Sequence, residues 1–208
     1  MNKIVVLGGT FNPLTLAHLE IINEASKLIL NSEKIMLPTN ISYLHSWKKY
    51  ADEQILPDSL RLKILNFMAV KNNYKIETCE LEKTTSKTYD SLNFIKNKYN
   101  ASKVYFICGA EKLSEFYKWY KYESLLNEFD FIVFNRNGLD AKEEFEKFSY
   151  LKEFKNHFTF LSPKINIDDF SSTKVRKALK NKNDDLLSKY CGKEISEILL
   201  KWREENEI

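Results

Sequence analysis

Short apolar runs alternate along the chain with segments in which apolar residues recur at helical spacing. The run Lys3 to Leu7 contains no polar alternation, which is typical of a strand in a parallel sheet covered on both faces. The following segment, Thr15 to Leu30, places Leu19 and Ile22 among polar residues and predicts a helix. This succession continues to the C-terminus, so the pattern predicts alternating strands and helices.

Further elements follow from the same reading of the sequence. Strands are predicted at Lys34 to Pro38, Tyr74 to Glu82 (at the sheet edge), Lys103 to Cys108, Asp130 to Asn135 and Phe158 to Leu161. Helices are predicted at Asp58 to Ala69 with Asp58 as N-cap, Thr88 to Tyr99, Leu113 to Leu126 and Lys174 to Leu179, with one or two more within Asp184 to Glu205. The polar, aromatic stretch Asn40 to Pro57 is interpreted as a functional loop.

Such alternation predicts an α/β fold: a doubly wound (Rossmann-like), mostly parallel sheet with helices on both faces and a small C-terminal helical part. We expect an α/β domain over residues 1–183 and a helical extension, residues 184–208, packed on the same domain. In folds of this kind ligands bind outside the carboxyl ends of the strands. Motifs that directly follow predicted strands are therefore candidates for one shared crevice.

Composition narrows the function classes. The chain is 43% hydrophobic and 29% charged, with a formal net charge of +3. Its basic residues are interspersed with acidic ones, so nucleic-acid binding is not expected. Three widely spaced cysteines fit neither a disulfide framework nor a zinc site and indicate a reducing compartment. With no signal peptide and no long apolar run, we expect a cytoplasmic protein without a membrane partner.

The first candidate site directly follows the first strand, in the turn Gly8-Gly9-Thr10-Phe11-Asn12-Pro13. Two glycines let the backbone approach a ligand closely, and the N-terminus of the next helix favours anions. His18, in the first turns of that helix, can donate a hydrogen bond to a phosphate oxygen. A plain strand-to-helix turn is the alternative, but it leaves Thr10, Thr15 and His18 at one helix mouth unexplained. The segment matches neither the dinucleotide fingerprint nor a P-loop.

A second candidate lies near the C-terminus, where Ser171, Ser172 and Thr173 begin a helix that carries Arg176. Hydroxyl groups and free N–H groups at a helix start form a cradle for an anion. Arg176 adds a planar, permanently charged group suited to phosphate. On its own the segment is equally compatible with an ordinary capped helix.

Both segments resemble motifs of the nucleotidyltransferase superfamily. Residues 8–18 resemble its signature G-[GST]-F-[DN]-P-x-[HT]-x-x-H, and residues 170–176 resemble the [IF]-S-S-T-x-[IV]-R motif of nicotinate and nicotinamide mononucleotide adenylyltransferases. Two motifs about 160 residues apart and in the family's order make coincidence improbable. The resemblance implies transfer of the adenylyl group of ATP, bound with Mg²⁺, to nicotinate mononucleotide, with no dedicated protein metal site. It leaves the choice between nicotinate and nicotinamide, and the oligomeric state, open.

Weaker resemblances connect the two motifs. Gly109-Ala110-Glu111-Lys112-Leu113 with Trp119 resembles the family's G-A-D-x-L followed by a tryptophan that stacks on the pyridine ring. Thr88-Tyr89-Asp90-Ser91-Leu92 and the strand ending in Arg136-Asn137-Gly138 resemble segments that contact the mononucleotide. Lys48 and Lys49 fall where the family often carries phosphate-binding lysines. Taken alone, each could be an ordinary helix start, aromatic packing or solvated charge.

The resemblance implies specific roles for these residues. Catalytic roles are predicted for His18, Arg176 and Thr15. ATP contacts are predicted for Gly8, Gly9, Thr10, Phe11, His18, Gly109, Glu111, Ser171, Ser172, Thr173 and Arg176. Mononucleotide contacts are predicted for Thr10, Lys48, Thr88, Tyr89, Trp119 and Arg136.

Departures from the family pattern keep other functions open. Asn12, Thr15, Ala17 and Glu111 stand where many bacterial members carry Asp, His, Gly and Asp. They motivate the alternative of a nucleotide-binding sensor without turnover. A transferase acting on nicotinamide mononucleotide, phosphopantetheine or a cytidylyl acceptor is another alternative. The sequence before Ser171 lacks the basic-glycine prefix expected of a cytidylyltransferase, and Trp119 with the chain length argues against a phosphopantetheine enzyme.

Overall fold

The computed structural model describes residues 2–40, 55–82 and 87–206. Its strands are β1 (Lys3–Gly9), β2 (Ser32–Pro38), β3 (Lys75–Ile76), β4 (Lys103–Gly109), β5 (Asp130–Phe134) and β6 (Phe158–Leu161). Its α-helices are α1 (Leu16–Leu28), α2 (Asp58–Asn72), α3 (Thr88–Lys98), α4 (Tyr122–Glu128), α5 (Ala141–Glu146), α6 (Ser172–Lys180), α7 (Asp184–Cys191) and α8 (Lys193–Glu205). Four 3-10 segments complete these elements: Ala110–Lys112, Phe116–Lys118, Ser149–His157 and Ile167–Phe170.

The six strands form one parallel sheet in the order β3-β2-β1-β4-β5-β6, which confirms the predicted doubly wound fold. The order reverses between β1 and β4: the chain runs outward from β1 to β3 and then returns to place β4 on the other side of β1. Gly8 and Gly9 pair with Leu37 and Pro38 of β2, so both glycines lie at the carboxyl edge beside this reversal. The crevice of such folds opens at that point.

Each face of the sheet carries its own apolar core. Val5 and Leu7 of β1 contribute to one core, and Ile4 and Val6 to the other, as expected from the two-residue period of a strand. Helices α1, α2, α6, α7 and α8 cover the first face, whereas α3, α4 and α5 cover the second. The C-terminal helices therefore contribute to the same core as α1 and α2. In the described part of the chain no helix is long and apolar enough to span a bilayer.

Two predicted elements are wrong in extent. The strand expected over Tyr74 to Glu82 is limited to Lys75–Ile76, because the chain then turns Glu77 and Glu80 inward. Glu77 accepts a hydrogen bond from Lys98 Nζ at 2.8 Å, and Glu80 accepts one from Ser91 Oγ at 2.8 Å. These contacts satisfy the buried carboxylates and fasten the segment to α3.

The helix expected over Leu113 to Leu126 is interrupted. It consists of 3-10 turns at Ala110–Lys112 and Phe116–Lys118, followed by α4, which begins at Tyr122. Lys121 adopts a positive φ of 51°, which ends any continuous helix there. The expectation that Asp58 caps α2 is also wrong. Pro57 occupies the cap position, and the Asp58 carboxylate instead accepts a hydrogen bond from Arg61 Nε at 3.0 Å.

Candidate active site

The glycine turn lies at the carboxyl edge of the sheet, and its two glycines leave little room for a side chain. A Cβ atom on Gly8 would lie 3.1 Å from the Phe106 ring, and one on Gly9 would lie 3.2 Å from the Phe11 ring. Thr39, directly after β2, donates its backbone N–H to the Gly9 carbonyl at 3.0 Å. The absence of side chains at Gly8 and Gly9 thus lets the turn settle onto the aromatic rings beneath it.

At the start of α1, Thr15 and His18 form a reciprocal cap. The Thr15 N–H donates to His18 Nδ1 at 3.1 Å, and Thr15 Oγ1 lies 2.8 Å from the same nitrogen. Because Nδ1 accepts the backbone proton, the neutral imidazole carries its own proton on Nε2. The edge-to-face contact with Phe11, at 5.2 Å between ring centroids, further limits rotation of the imidazole. His18 is therefore held as an Nε2–H donor.

Two residues with predicted roles, Thr15 as a catalytic residue and Phe11 as an ATP contact, are buried. Thr15 and Phe11 are both 0% exposed, so neither side chain can touch a nucleotide in this conformation. The Thr15 hydroxyl is used on His18, which makes Thr15 a residue that orients the imidazole. Phe11 packs beneath the turn, where its ring supports Gly9 and His18.

The serine-rich segment meets the glycine turn, as the sequence predicts. Ser172 Oγ donates to the Pro13 carbonyl at 2.8 Å, and Arg176 Nη1 donates to the Asn12 carbonyl at 2.6 Å. Ser171 caps α6 by accepting the Lys174 N–H at 3.3 Å. Segments about 160 residues apart in the chain therefore form one surface.

Arg176 is held by more than the turn. Its Nη2 lies 3.3 Å from Thr173 Oγ1, so both Thr173 and the Asn12 carbonyl orient the guanidinium. These two contacts fix the position of the permanently charged guanidinium at the first turns of α6 before a ligand binds.

At the end of β4, Glu111 folds back over Gly109. A Cβ atom at Gly109 would lie 2.1 Å from Glu111 Oε2, so the absence of a side chain there makes room for the longer acid. Arg136, just after β5, places Nη1 3.5 Å from Glu111 Oε1. Glu111 Oε2 is buried and has no hydrogen-bond partner among the described residues. This oxygen is available to accept a hydrogen bond from a ligand.

The neighbouring thiol is unsuited to nucleophilic chemistry. Burial raises the pKa of Cys108 well above its usual range, and the charge of Glu111 raises it further. The thiol therefore stays protonated and inert at neutral pH.

A cavity of about 330 Å³ opens at the carboxyl ends of β5 and β6. Arg136 and Asp140 line one wall, and Ser162 and Asp168 line another. The tight turn at Asn137 and Gly138, both with positive φ, is fixed by the Asn137 N–H, which donates to Asp168 Oδ2 at 2.8 Å. The cavity borders Arg136 on one side and, through Ile167 and Asp168, the segment leading to Ser171 on the other.

Trp119 borders the crevice on the opposite side. The Trp119 side chain is half-buried. Its ring is stacked on Phe116, with 4.5 Å between the centroids and 10° between the ring planes. The Phe106 ring, which lies beneath Gly8, makes an edge-to-face contact with Trp119, with 6.2 Å between the ring centroids. A single aromatic ring therefore separates Trp119 from the glycine turn.

The start of α3 lies beside Trp119. The ammonium group of Lys87 sits 4.0 Å from the centroid of the Tyr120 ring, and Thr88 begins the helix in a half-buried position. The Tyr89 hydroxyl donates to Glu128 Oε1 at 2.9 Å, and its ring contacts both Phe129 and Tyr120. The mononucleotide contacts of Thr88 and Tyr89 stay predictions. Lys48 and Lys49 lie outside the described residues.

Sequence reasoning missed Arg61, which is 1% exposed. Its guanidinium donates from Nη1 to the Thr10 carbonyl and from Nη2 to the Thr39 carbonyl, the latter at 2.7 Å. The signal was present, because Arg61 falls directly after Leu60 and three positions before Ile64, on the buried face of α2. A charged side chain on a buried helix face needs hydrogen-bond or ion-pair partners in the interior.

Comparisons with known proteins agree with this geometry. Residues 6–178 match the cytidylyltransferase-like family model. A probable nicotinate-nucleotide adenylyltransferase of Pelagibacter ubique is 33% identical over 84% of this chain and 92% of its own length. A protein of the same name from Aliarcobacter butzleri is 31% identical over 95% of both chains.

A solved structure shares the fold. The Plasmodium falciparum nicotinic acid mononucleotide adenylyltransferase complexed with NaAD superimposes with a TM-score of 0.74 at 20% identity, covering 98% of this chain and 97% of that one. The same enzyme complexed with APC gives a TM-score of 0.72 at 22% identity, covering 98% and 96%. By its sequence relatives and its family model, the chain belongs to the cytidylyltransferase-like family and, within it, to the nicotinate-nucleotide adenylyltransferases.

Proposed function

We propose that the protein transfers the adenylyl group of ATP to nicotinate mononucleotide, forming the deamido dinucleotide and pyrophosphate. The observation that carries the proposal is the meeting of the glycine turn and His18 with the Ser172 and Arg176 segment. The two segments thus meet at the carboxyl edge of the sheet, where His18 and Arg176 supply a donor and a positive charge. The named relatives support the choice of acceptor.

The reaction is an in-line displacement without a covalent enzyme intermediate. A phosphate oxygen of the mononucleotide forms a bond to the α-phosphorus of ATP. The bond from that phosphorus to the bridging oxygen breaks, and pyrophosphate leaves with the electron pair. The attacking phosphate is already ionised near neutral pH, so the site needs no general base. Catalysis then comes from positioning two anions and stabilising the developing charge.

Each part of the site has a role in this proposal. His18, as an Nε2–H donor, and Arg176 stabilise charge on the α-phosphate and the leaving group. The backbone N–H groups of Thr10 and of Ser172, at the start of α6, bind phosphate oxygens. Mg²⁺ enters as part of the ATP substrate, bound to phosphates and water.

The two ends of the product lie on opposite sides of the turn. We assign the cavity beside Arg136 to the adenosine, with Glu111 Oε2 accepting a hydrogen bond from a nucleoside hydroxyl or amino group. Trp119 and Thr88 border the mononucleotide, whose pyridine ring would lie against the indole. Glu111 is one methylene longer than the Asp usual at this position. Because its side chain folds over Gly109, the extra length does not carry the carboxylate further into the crevice.

The test is an acceptor panel with purified protein and Mg-ATP. Nicotinate mononucleotide, nicotinamide mononucleotide and phosphopantetheine are each supplied, with a parallel reaction using CTP, and pyrophosphate release is measured. We expect release with nicotinate mononucleotide and formation of the deamido dinucleotide. Turnover with another acceptor alone would reassign the substrate. ATP binding without release from any acceptor would favour the sensor.

A further inference from the structure

Arg61 is the largest fully buried side chain of the described residues, and all its recorded partners lie at the crevice or at the start of α2. The Thr10 carbonyl belongs to the glycine turn, and the Thr39 carbonyl directly follows β2. Asp58, one turn earlier on α2, pairs with the guanidinium and is 37% exposed. One side chain thus joins the exits of two neighbouring strands to one helix.

The contact with Thr10 also sets the direction of the next peptide. Of the described peptide bonds only Asn12–Pro13 is cis, so the unit joining Thr10 and Phe11 is planar and trans. Holding its carbonyl on Arg61 fixes this peptide between the partly exposed Thr10 and the buried Phe11, and with it the position of Thr10. Backbone N–H groups are the donors with which such turns bind phosphate.

The turn is held from a second side. Arg176 of α6 donates to the Asn12 carbonyl, two residues along the turn from the carbonyl bound by Arg61. Helices α2 and α6 therefore each supply a guanidinium to a carbonyl of the same turn. The carbonyl oxygens, which would repel a triphosphate, are turned toward arginine on both flanks.

We infer that Arg61 is a positioning residue for adenylyl transfer: it fixes the glycine turn from behind so that the partly exposed backbone at Thr10 meets the triphosphate. The inference rests on the proposed function. A lysine cannot replace this role, because one ammonium group cannot reach the Thr10 carbonyl, the Thr39 carbonyl and Asp58 in the planar arrangement that arginine provides.

The test compares Arg61→Lys with Arg203→Lys. Arg203 is a matched control on α8, 12% exposed and paired with Asp184 at 3.0 Å. Hydrogen exchange in the ligand-free protein should accelerate about tenfold at residues 9–12 of Arg61→Lys and stay unchanged in α8. We expect kcat to fall about 10²-fold in Arg61→Lys, the scale for a misplaced reacting group, and to stay normal in Arg203→Lys.

Two outcomes would overturn the inference. One is a folded Arg61→Lys protein with wild-type kcat and wild-type exchange at residues 9–12. The other is faster exchange spread evenly over the molecule with normal kcat, which indicates a purely structural role. If Arg61→Lys does not fold, Asp58→Asn decides, because it keeps the guanidinium but frees it to shift; unchanged exchange at residues 9–12 would then refute the inference. Failure of wild-type turnover would refute the proposed function, whereas the exchange measurement judges Arg61 separately.

Discussion

At the scale of single residues, the site depends on groups held in one state. His18 receives the Thr15 N–H on Nδ1, which leaves the proton on Nε2, the nitrogen that can meet a phosphate. Glu111 keeps its carboxylate near the crevice by folding over Gly109. In both cases a neighbouring residue, and not the reactive one, determines the geometry.

Replacing His18 by alanine tests the first of these groups. We expect turnover to fall roughly 10²–10³-fold, about 3–4 kcal/mol, the scale for losing one transition-state donor. The α1 cap loses one contact, so stability should fall by no more than about 1 kcal/mol. Steady-state kinetics and thermal unfolding measure the two effects.

His157→Ala is the matched control for His18→Ala. His157 lies 3.1 Å from Asp130, at the amino end of β5 and thus at the opposite edge of the sheet. Its loss should leave kcat unchanged. Normal turnover in folded His18→Ala would remove His18 from the mechanism.

Several site features could be predicted from sequence because they depend on local chemistry. The glycine turn, the serine cap and Arg176 are recognisable where they stand, and strand alternation predicts their common edge. The burial of Thr15 and Phe11 could not be predicted, since it depends on packing against distant residues. The role of Arg61 could not be predicted for the same reason, because its partners Thr10 and Thr39 belong to other segments of the chain.

At the scale of elements, predictions succeeded where a segment has one strong period. β4, β5 and β6 lie within a residue or two of their expected positions. The failures at residues 74–82 and 113–126 occurred where tertiary contacts outweigh local pattern. The carboxylates of Glu77 and Glu80 accept hydrogen bonds from α3 where a longer strand was expected, and the positive φ of Lys121 interrupts the expected helix.

Asp140, which lines the cavity beside Arg136, offers a test at the scale of one helix. It caps α5 by accepting the N–H groups of Glu143 and Lys142, each at 2.9 Å, and it accepts a further hydrogen bond from Asn135. The bond from Glu143 is the main reason that the pKa of Asp140 is lowered in the folded protein. The charged form therefore stabilises the fold.

The stability that Asp140 contributes therefore depends on pH. A carboxyl whose folded pKa is lowered contributes stability above its unfolded pKa of about 3.9 and loses it as pH falls through the folded value. Wild type should exceed Asp140→Asn in free energy of unfolding at pH 6, and the gap should close below about pH 4. Urea unfolding across this pH range measures the difference between the two proteins. A gap that is constant with pH would contradict the assignment.

At the scale of the whole molecule, the C-terminal helices belong to a core shared with α1 and α2. Leu187, Cys191, Ile195 and Leu199 are all buried within it. Motif recognition gave no reason to expect this, because residues beyond Asn183 carry no chemical signal. Their apolar stripe predicted helices, expected to pack on the same domain.

Leu199→Ala tests whether residues 184–208 unfold with the rest. We expect a loss of about 2–5 kcal/mol in the free energy of unfolding, with a single transition. Leu186→Ala, on the neighbouring helix and 37% exposed, should change the free energy of unfolding far less. A separate early transition in Leu199→Ala would show that the extension is an independent unit.

The bond from Ser172 to Pro13 spans 159 residues of sequence, and that from Arg176 to Asn12 spans 164. Closing a loop of this length costs entropy and belongs to the slow, late events of chain collapse. A nascent polypeptide emerging from the ribosome therefore carries its glycine turn long before the arginine that completes it. On the proposed function, catalytic competence arrives only when nearly the entire chain has been synthesised, and we expect a translation product truncated before Arg176 to be inactive.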